Sequence, residues 1–118
     1  MGTKEIAQGL VDLCKEGKFD EAGERYYSSD IVSLEPHGDP AEVRGIDAVK
    51  AKSEWWSENF EVNNADVVGP FINGDQFAVM FNLDTTNKKS GEHAKLEEVA
   101  IYTVRDGKIV HERFLYNG

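Results

Sequence analysis

Carboxylates and phenols recur in this chain at spacings that suit proton transfer. Glu35 closes the run Ile31-Val32-Ser33-Leu34-Glu35 and is followed by Pro36, His37 and Gly38. Farther on, Glu98, Ala100 and Tyr102 alternate along one stretch, and Val110, Glu112, Phe114 and Tyr116 along the next. A period of two puts each set on one face of a strand. Asp106-Gly107 between them is a hairpin signal, so the two faces lie side by side. If that face is concave, Glu35, Glu98 and Glu112 share a cavity with Tyr102 and Tyr116. Carboxyls crowded in an apolar site raise one another's pKa, so that one of them can be a neutral acid at pH 7. A register one residue away turns the same glutamates to solvent, and Glu35 then reads as an ordinary strand-end carboxylate.

The other polar residues offer less. His37 either orients Glu35 or shuttles a proton, or it sits in water on a loop. His37, His93 and His111 have no metal-ligand spacing, so neither a metal nor an organic cofactor is expected. No nucleophile elbow, phosphate-binding glycine loop or dinucleotide fingerprint occurs. Tyr26, Trp56, Phe60, Met80, Tyr102, Phe114 and Tyr116 supply aromatic and soft apolar surface, as core or as pocket lining for a small apolar molecule. Arg113 alternates away from the candidate face.

The elements that must hold these groups divide into helices first and strands after. Ile6, Leu10, Leu13 and Cys14 make a one-faced helix from about Thr3 to Glu16, stopped by Gly17. Phe19, Ala22, Gly23, Tyr26 and Tyr27 continue as a second helix, ended by Ser28-Ser29-Asp30. After the short strand and a polar loop, a third helix is predicted over Ile46–Asn59. Trp55 and Trp56 are adjacent there and face different ways. Four strands follow as an antiparallel meander: Asp66–Ile72, Phe77–Leu83, about Ala94–Arg105 and Lys108–Asn117, with Asn73-Gly74 as the first turn. This order predicts an α+β domain with its helices on one side of the sheet.

At 118 residues the chain has room for one domain, residues 1–118, with one core. Thirteen basic against 22 acidic residues give a formal charge of −9, which disfavours nucleic acid and anionic membranes as partners. No apolar run approaches the ~18 residues that span a bilayer. The first residues lack the basic and apolar segments of a secretory signal, so a cytoplasmic location is expected. Cys14, the single cysteine, is read as a small buried hydrophobe on the first helix.

Four stretches together resemble the nuclear transport factor 2-like superfamily, with its SnoaL-like polyketide cyclases and ketosteroid isomerases. They are Gly17-Lys18-Phe19-Asp20-Glu21-Ala22, Tyr26-Tyr27-Ser28-Ser29-Asp30-Ile31-Val32, Arg44-Gly45-Ile46-Asp47-Ala48-Val49 and Val104-Arg105-Asp106-Gly107-Lys108-Ile109-Val110. The resemblance implies a cone-shaped barrel, with three N-terminal helices packed on a strongly curved antiparallel sheet around an apolar pocket. It also implies homodimers joined sheet to sheet. In ketosteroid isomerases an aspartate before a Pro-x-Gly segment moves the proton; Glu35 matches that place, one methylene longer. That family's two oxyanion donors fall here on Leu10 and Ala100, so steroid isomerisation by the usual route is disfavoured.

The resulting expectation is a cofactor-independent isomerase, cyclase or hydrolase. Glu35 acts as base, while Glu98, Tyr102, Glu112 or Tyr116 polarises a small oxygen-bearing substrate. The alternative is a non-catalytic ligand-binding or dimerisation domain.

Overall fold

The structure is a computed structural model and describes residues 2–117. Helix α1 (Thr3–Lys15) buries Ile6, Ala7, Leu10, Val11, Leu13 and Cys14, the stripe that its 3.6-residue period predicts. It ends where Gly17 takes φ 79°. The amides of Gly17 and Lys18 then donate back to the carbonyls of Cys14 and Leu13, at 3.0 and 2.9 Å, satisfying the last turn. Helix α2 (Phe19–Tyr26) follows after the break. Its Tyr26 lies so close to α1 that a Cβ at Gly9 would stand 1.9 Å from the tyrosine hydroxyl oxygen, so only glycine fits there.

The second helix is one residue shorter than its periodicity suggests. Tyr27 has extended backbone (φ −80°, ψ 137°) and opens strand β1 (Tyr27–Leu34), pairing with Ile109. The sheet ladder and a side-chain bond described below hold it there, against the weak local pull of a helical pattern. The chain returns through a loop as β2 (Glu42–Arg44), antiparallel to β1, a strand the polar loop sequence does not announce. Helix α3 (Ile46–Asn59) has the predicted bounds. Trp55 is exposed, while Trp56 turns inward and stacks on Phe60 with ring centroids 5.4 Å apart.

The meander then runs as β3 (Phe60–Asn73), β4 (Gln76–Asn87), β5 (His93–Arg105) and β6 (Lys108–Leu115). The six strands form one sheet in the order β2-β1-β6-β5-β4-β3. It is mixed rather than wholly antiparallel, because β1 enters beside β6 in parallel after the helical hairpin. Bulges interrupt β3 near Asn63 and at Gly69-Pro70, and β6 at Val110. Such insertions bend and twist a strand, and this sheet is strongly curved without closing. Helix α1 lies across β3 and β4, and the buried core fills the space between it and the concave face. Among the described residues no helix is long and apolar enough to cross a membrane.

Candidate active site

The concave face is set by alternation along the central strands. On β4, Phe77, Val79, Phe81 and Leu83 are buried; Ala100 and Tyr102 of β5 stand opposite Val79 and Phe77. Glu98 pairs with Phe81, and Glu112 of β6 pairs with Tyr102, so both glutamates share the face of the core. The bulge in β6 adjusts this pattern. Thr103 pairs with His111 but Val104 with Ile109, leaving Val110 as the extra residue. Ile109 and Glu112 both turn inward, and Val110 is displaced from the face predicted for it.

Glu112 is the most enclosed of the acids, 2% exposed. The Tyr27 hydroxyl donates to its Oε1, and Ser33, itself fully buried, also bonds to it. Burial raises the Glu112 pKa, and those two bonds partly offset it. Tyr27 is only half-buried as a residue, but its hydroxyl end meets this carboxyl inside the fold. Its one proton is committed to Glu112, and the Tyr102 hydroxyl lies beside it on the same buried face. Burial, then the charge of Glu112, pushes both phenols well above their ordinary pKa.

A second layer lies nearer solvent. Lys52 of α3 donates to Ser33 Oγ at 2.6 Å and to Glu35 Oε1 at 2.8 Å, and its ammonium sits 5.3 Å from the Phe114 ring centroid. The Glu35 and Lys52 side chains are 23% and 29% exposed. The Glu35 amide donates to the Ala41 carbonyl at 2.8 Å, which ties down the start of the loop. Tyr116 donates to Glu35; its pKa rises to about 12, through burial first and this bond second. Glu98 completes the group. Burial, then the charges of Glu35 and Glu112, pushes its carboxyl up to about 7, while Lys52 pulls the other way.

The model of the SnoaL-like domain matches residues 1–116 of this chain. The chain belongs to the SnoaL-like domain family. Among solved structures, a candidate SnoaL-like polyketide cyclase from Mesorhizobium loti, also described as a carbohydrate phosphatase, is 45% identical. That match has a TM-score of 0.94 over 98% of this chain and 100% of the other. A candidate SnoaL-like polyketide cyclase from Jannaschia is 17% identical, with TM-score 0.78 over 98% and 85% of the two chains. A candidate isomerase from Bacillus subtilis is 16% identical, with TM-score 0.76 over 98% and 86%. These last two share the fold. Among proteins of curated function, none matches.

Within this SnoaL-like domain the structure assembles some of the expected site and disperses the rest. Glu35, Glu98, Glu112, Tyr102 and Tyr116 converge, and Phe114 lies under Lys52. His37 is exposed; its ring meets Tyr116 edge-on with centroids 5.2 Å apart, and it makes no hydrogen bond to Glu35. Met80 is not a lining residue. It falls between the buried Val79 and Phe81, faces the convex side and is 41% exposed. Tyr26 packs on α1 in the core. Trp56 is half-buried against the same core, and the half-buried Phe60 stacks on Trp56. Leu10 and Ala100 are both buried, so the places of the two oxyanion donors are apolar here.

Three partners were not among the predicted site residues: Tyr27, Ser33 and Lys52. Lys52 carried a readable signal, since Val49, Lys52 and Trp56 fall at i, i+3 and i+7 on the inward face of α3. Ser33 lies two residues before Glu35 on the same strand face. Tyr27 had no such signal, because its helical spacing masked its place on a strand. An open hollow of about 770 Å³, lined by Ser28, Thr103, Arg105, Lys108 and His111 among others, lies on the convex side. None of the predicted site residues lines it, and its polar, solvated groups offer less chemistry than the enclosed carboxyls.

Proposed function

We propose that this domain holds a small, largely apolar, oxygen-bearing molecule on its concave face and moves a proton on it. The carrying observation is Glu98, a carboxyl with pKa about 7, gathered with Glu35, Glu112 and Tyr116. A base works best when its pKa lies near the working pH, and a carboxyl at about 7 meets that condition. Glu98 takes the proton from a carbon beside a carbonyl and returns it elsewhere, an isomerisation or cyclisation without redox change. Glu35, the base expected from the resemblance, serves instead as the fixed anion that anchors Lys52, to which it is paired at 2.8 Å. Phosphate chemistry fits poorly, because three carboxyls surround a single ammonium and repel a polyanion.

A purely binding role is the second reading. In its favour, every buried side-chain nitrogen and oxygen among the described residues has a hydrogen-bond partner, as in a network that only holds a fold. The test is proton exchange. Small ketones carrying deuterium beside the carbonyl are incubated with the protein and with Glu98→Gln. Catalysed loss of deuterium that disappears in the variant supports the enzyme. Equal rates in both, with ketone binding intact, leave only the binding role.

We also propose that the domain acts as a homodimer through its convex face. Val68, Met80, Val99 and Leu115 are successive cross-strand partners there, forming one apolar row across four strands. Val68, Met80 and Leu115 are exposed, and Phe71 beyond them is 61% exposed. A contiguous apolar row of this kind suits a second copy of the same sheet.

A further inference from the structure

Removing a proton beside a carbonyl leaves negative charge on the carbonyl oxygen, and that charge needs a partner. The two donor places implied by the resemblance are apolar here, at Leu10 and Ala100. We propose that Lys52 takes over this task, as the group that faces the developing enolate oxygen; this rests on the proton-transfer reading above.

The argument starts from donor counting. An ammonium has three N–H donors and no acceptor. Ser33 takes one and Glu35 takes another, at 2.6 and 2.8 Å. Among the described residues the third has no hydrogen-bond acceptor. The ammonium is held over the face of Phe114 while part of the side chain remains open to solvent. Two fixed bonds orient the group, and the third donor is left for a ligand atom. Such preorganisation is what makes a donor effective, since nothing has to reorient as charge develops.

Charge and position agree with this. Among the described residues Lys52 is the cation whose charge lowers the pKa of both Glu98 and Glu112, so it lies within electrostatic reach of the proposed base. In the step itself, the C–H proton passes to the Glu98 carboxylate. The C–H electron pair becomes a carbon–carbon double bond, and the carbonyl π pair moves to oxygen, where the Lys52 N–H meets it. Glu98 is restored when it passes that proton to another carbon of the enolate or, where the enolate carbon attacks a second carbonyl, to the alkoxide oxygen so formed; in both cases the first carbonyl re-forms. The Ser33 bond makes Lys52 more than the partner of an exposed ion pair, because it carries the ammonium inward towards the buried face.

The experiment uses 4-nitrophenol, whose anion mimics an enolate and absorbs apart from the neutral phenol, and 4-nitrotoluene as its uncharged counterpart. At neutral pH the parent protein is expected to shift bound nitrophenol towards the phenolate. Lys52→Met should abolish the shift and weaken phenolate binding about tenfold or more, as for loss of a charged hydrogen bond. Nitrotoluene affinity should stay within about twofold, and Lys52→Arg should keep most of the shift. If the Met variant does not fold, Lys52→Gln, which retains donors for Ser33 and Glu35, carries the same comparison. A parent that binds both probes without favouring phenolate, or a neutral variant that keeps the preference, overturns the role of Lys52 and leaves the proton-transfer reading standing. A parent that binds neither probe overturns both.

Discussion

Replacing Glu98 with glutamine should make the domain more stable at pH 8 than its parent and leave the two alike near pH 4. The side chain keeps its shape but loses the charge that burial and the neighbouring acids penalise. In the folded protein the carboxyl titrates at about 7 against 4.5 for the free group. At about 1.36 kcal/mol per pKa unit, that difference is worth about 3 kcal/mol. Glu98 is partly exposed, so solvent screening reduces the observable effect to about 1–2 kcal/mol. The folded pKa lies above the unfolded one, so the proton's contribution is complete below about pH 4.5 and is lost as pH rises through about 7. Glutamine removes that loss. Urea unfolding at pH values from about 5 to 8, followed by fluorescence of Trp55 and Trp56, gives the difference directly. A variant-minus-parent difference that is flat across this window, or a Glu98 carboxyl resonance titrating at 4.5, would refute the reasoning.

Three further outcomes follow from the same geometry. Tyr27→Phe removes a donor to the buried Glu112 carboxyl and should cost about 1–3 kcal/mol, read as a lowered urea midpoint; an unchanged midpoint would show that the bond carries no net stability. Cys14 is buried, with its thiol pushed up to about 12 by desolvation, so a maleimide should label the native protein far more slowly than the unfolded chain. Met80→Lys puts a charge in the middle of the convex apolar row, and sedimentation should find the parent at twice the chain mass and the variant at one; a monomeric parent would end the dimer proposal.

Much of this domain is determined by local pattern alone. The apolar stripe of α1, its glycine stop, the bounds of α3 and the turn dipeptides are all short-range features, each set by residues within a few positions. The face of Glu98, Ala100 and Tyr102 was legible for the same reason, because strand alternation is a local property. So was the inclusion of Glu35 and Glu112 among the candidate acids. Met80 marks the boundary of that legibility: Phe77–Leu83 is apolar at nearly every position, and an uninterrupted apolar run does not say which alternate set faces the core.

What only the tertiary structure decided is where long-range bonds override local preference. Tyr27 reads as the end of a helix until β6 lies beside it and Glu112 takes its hydroxyl proton. The bulge at Val110, set by pairing with β5, brings Ile109 and Glu112 to the same side. Which of the acids have raised pKa values was also out of reach of pattern. Desolvation and charge depend on everything packed around a group, and here Lys52, 17 residues from Glu35 in the chain, pairs with that acid while Glu98 is left to bear the burial. Spacing along a chain reports which way a side chain points; its electrostatic environment exists only once distant elements have met.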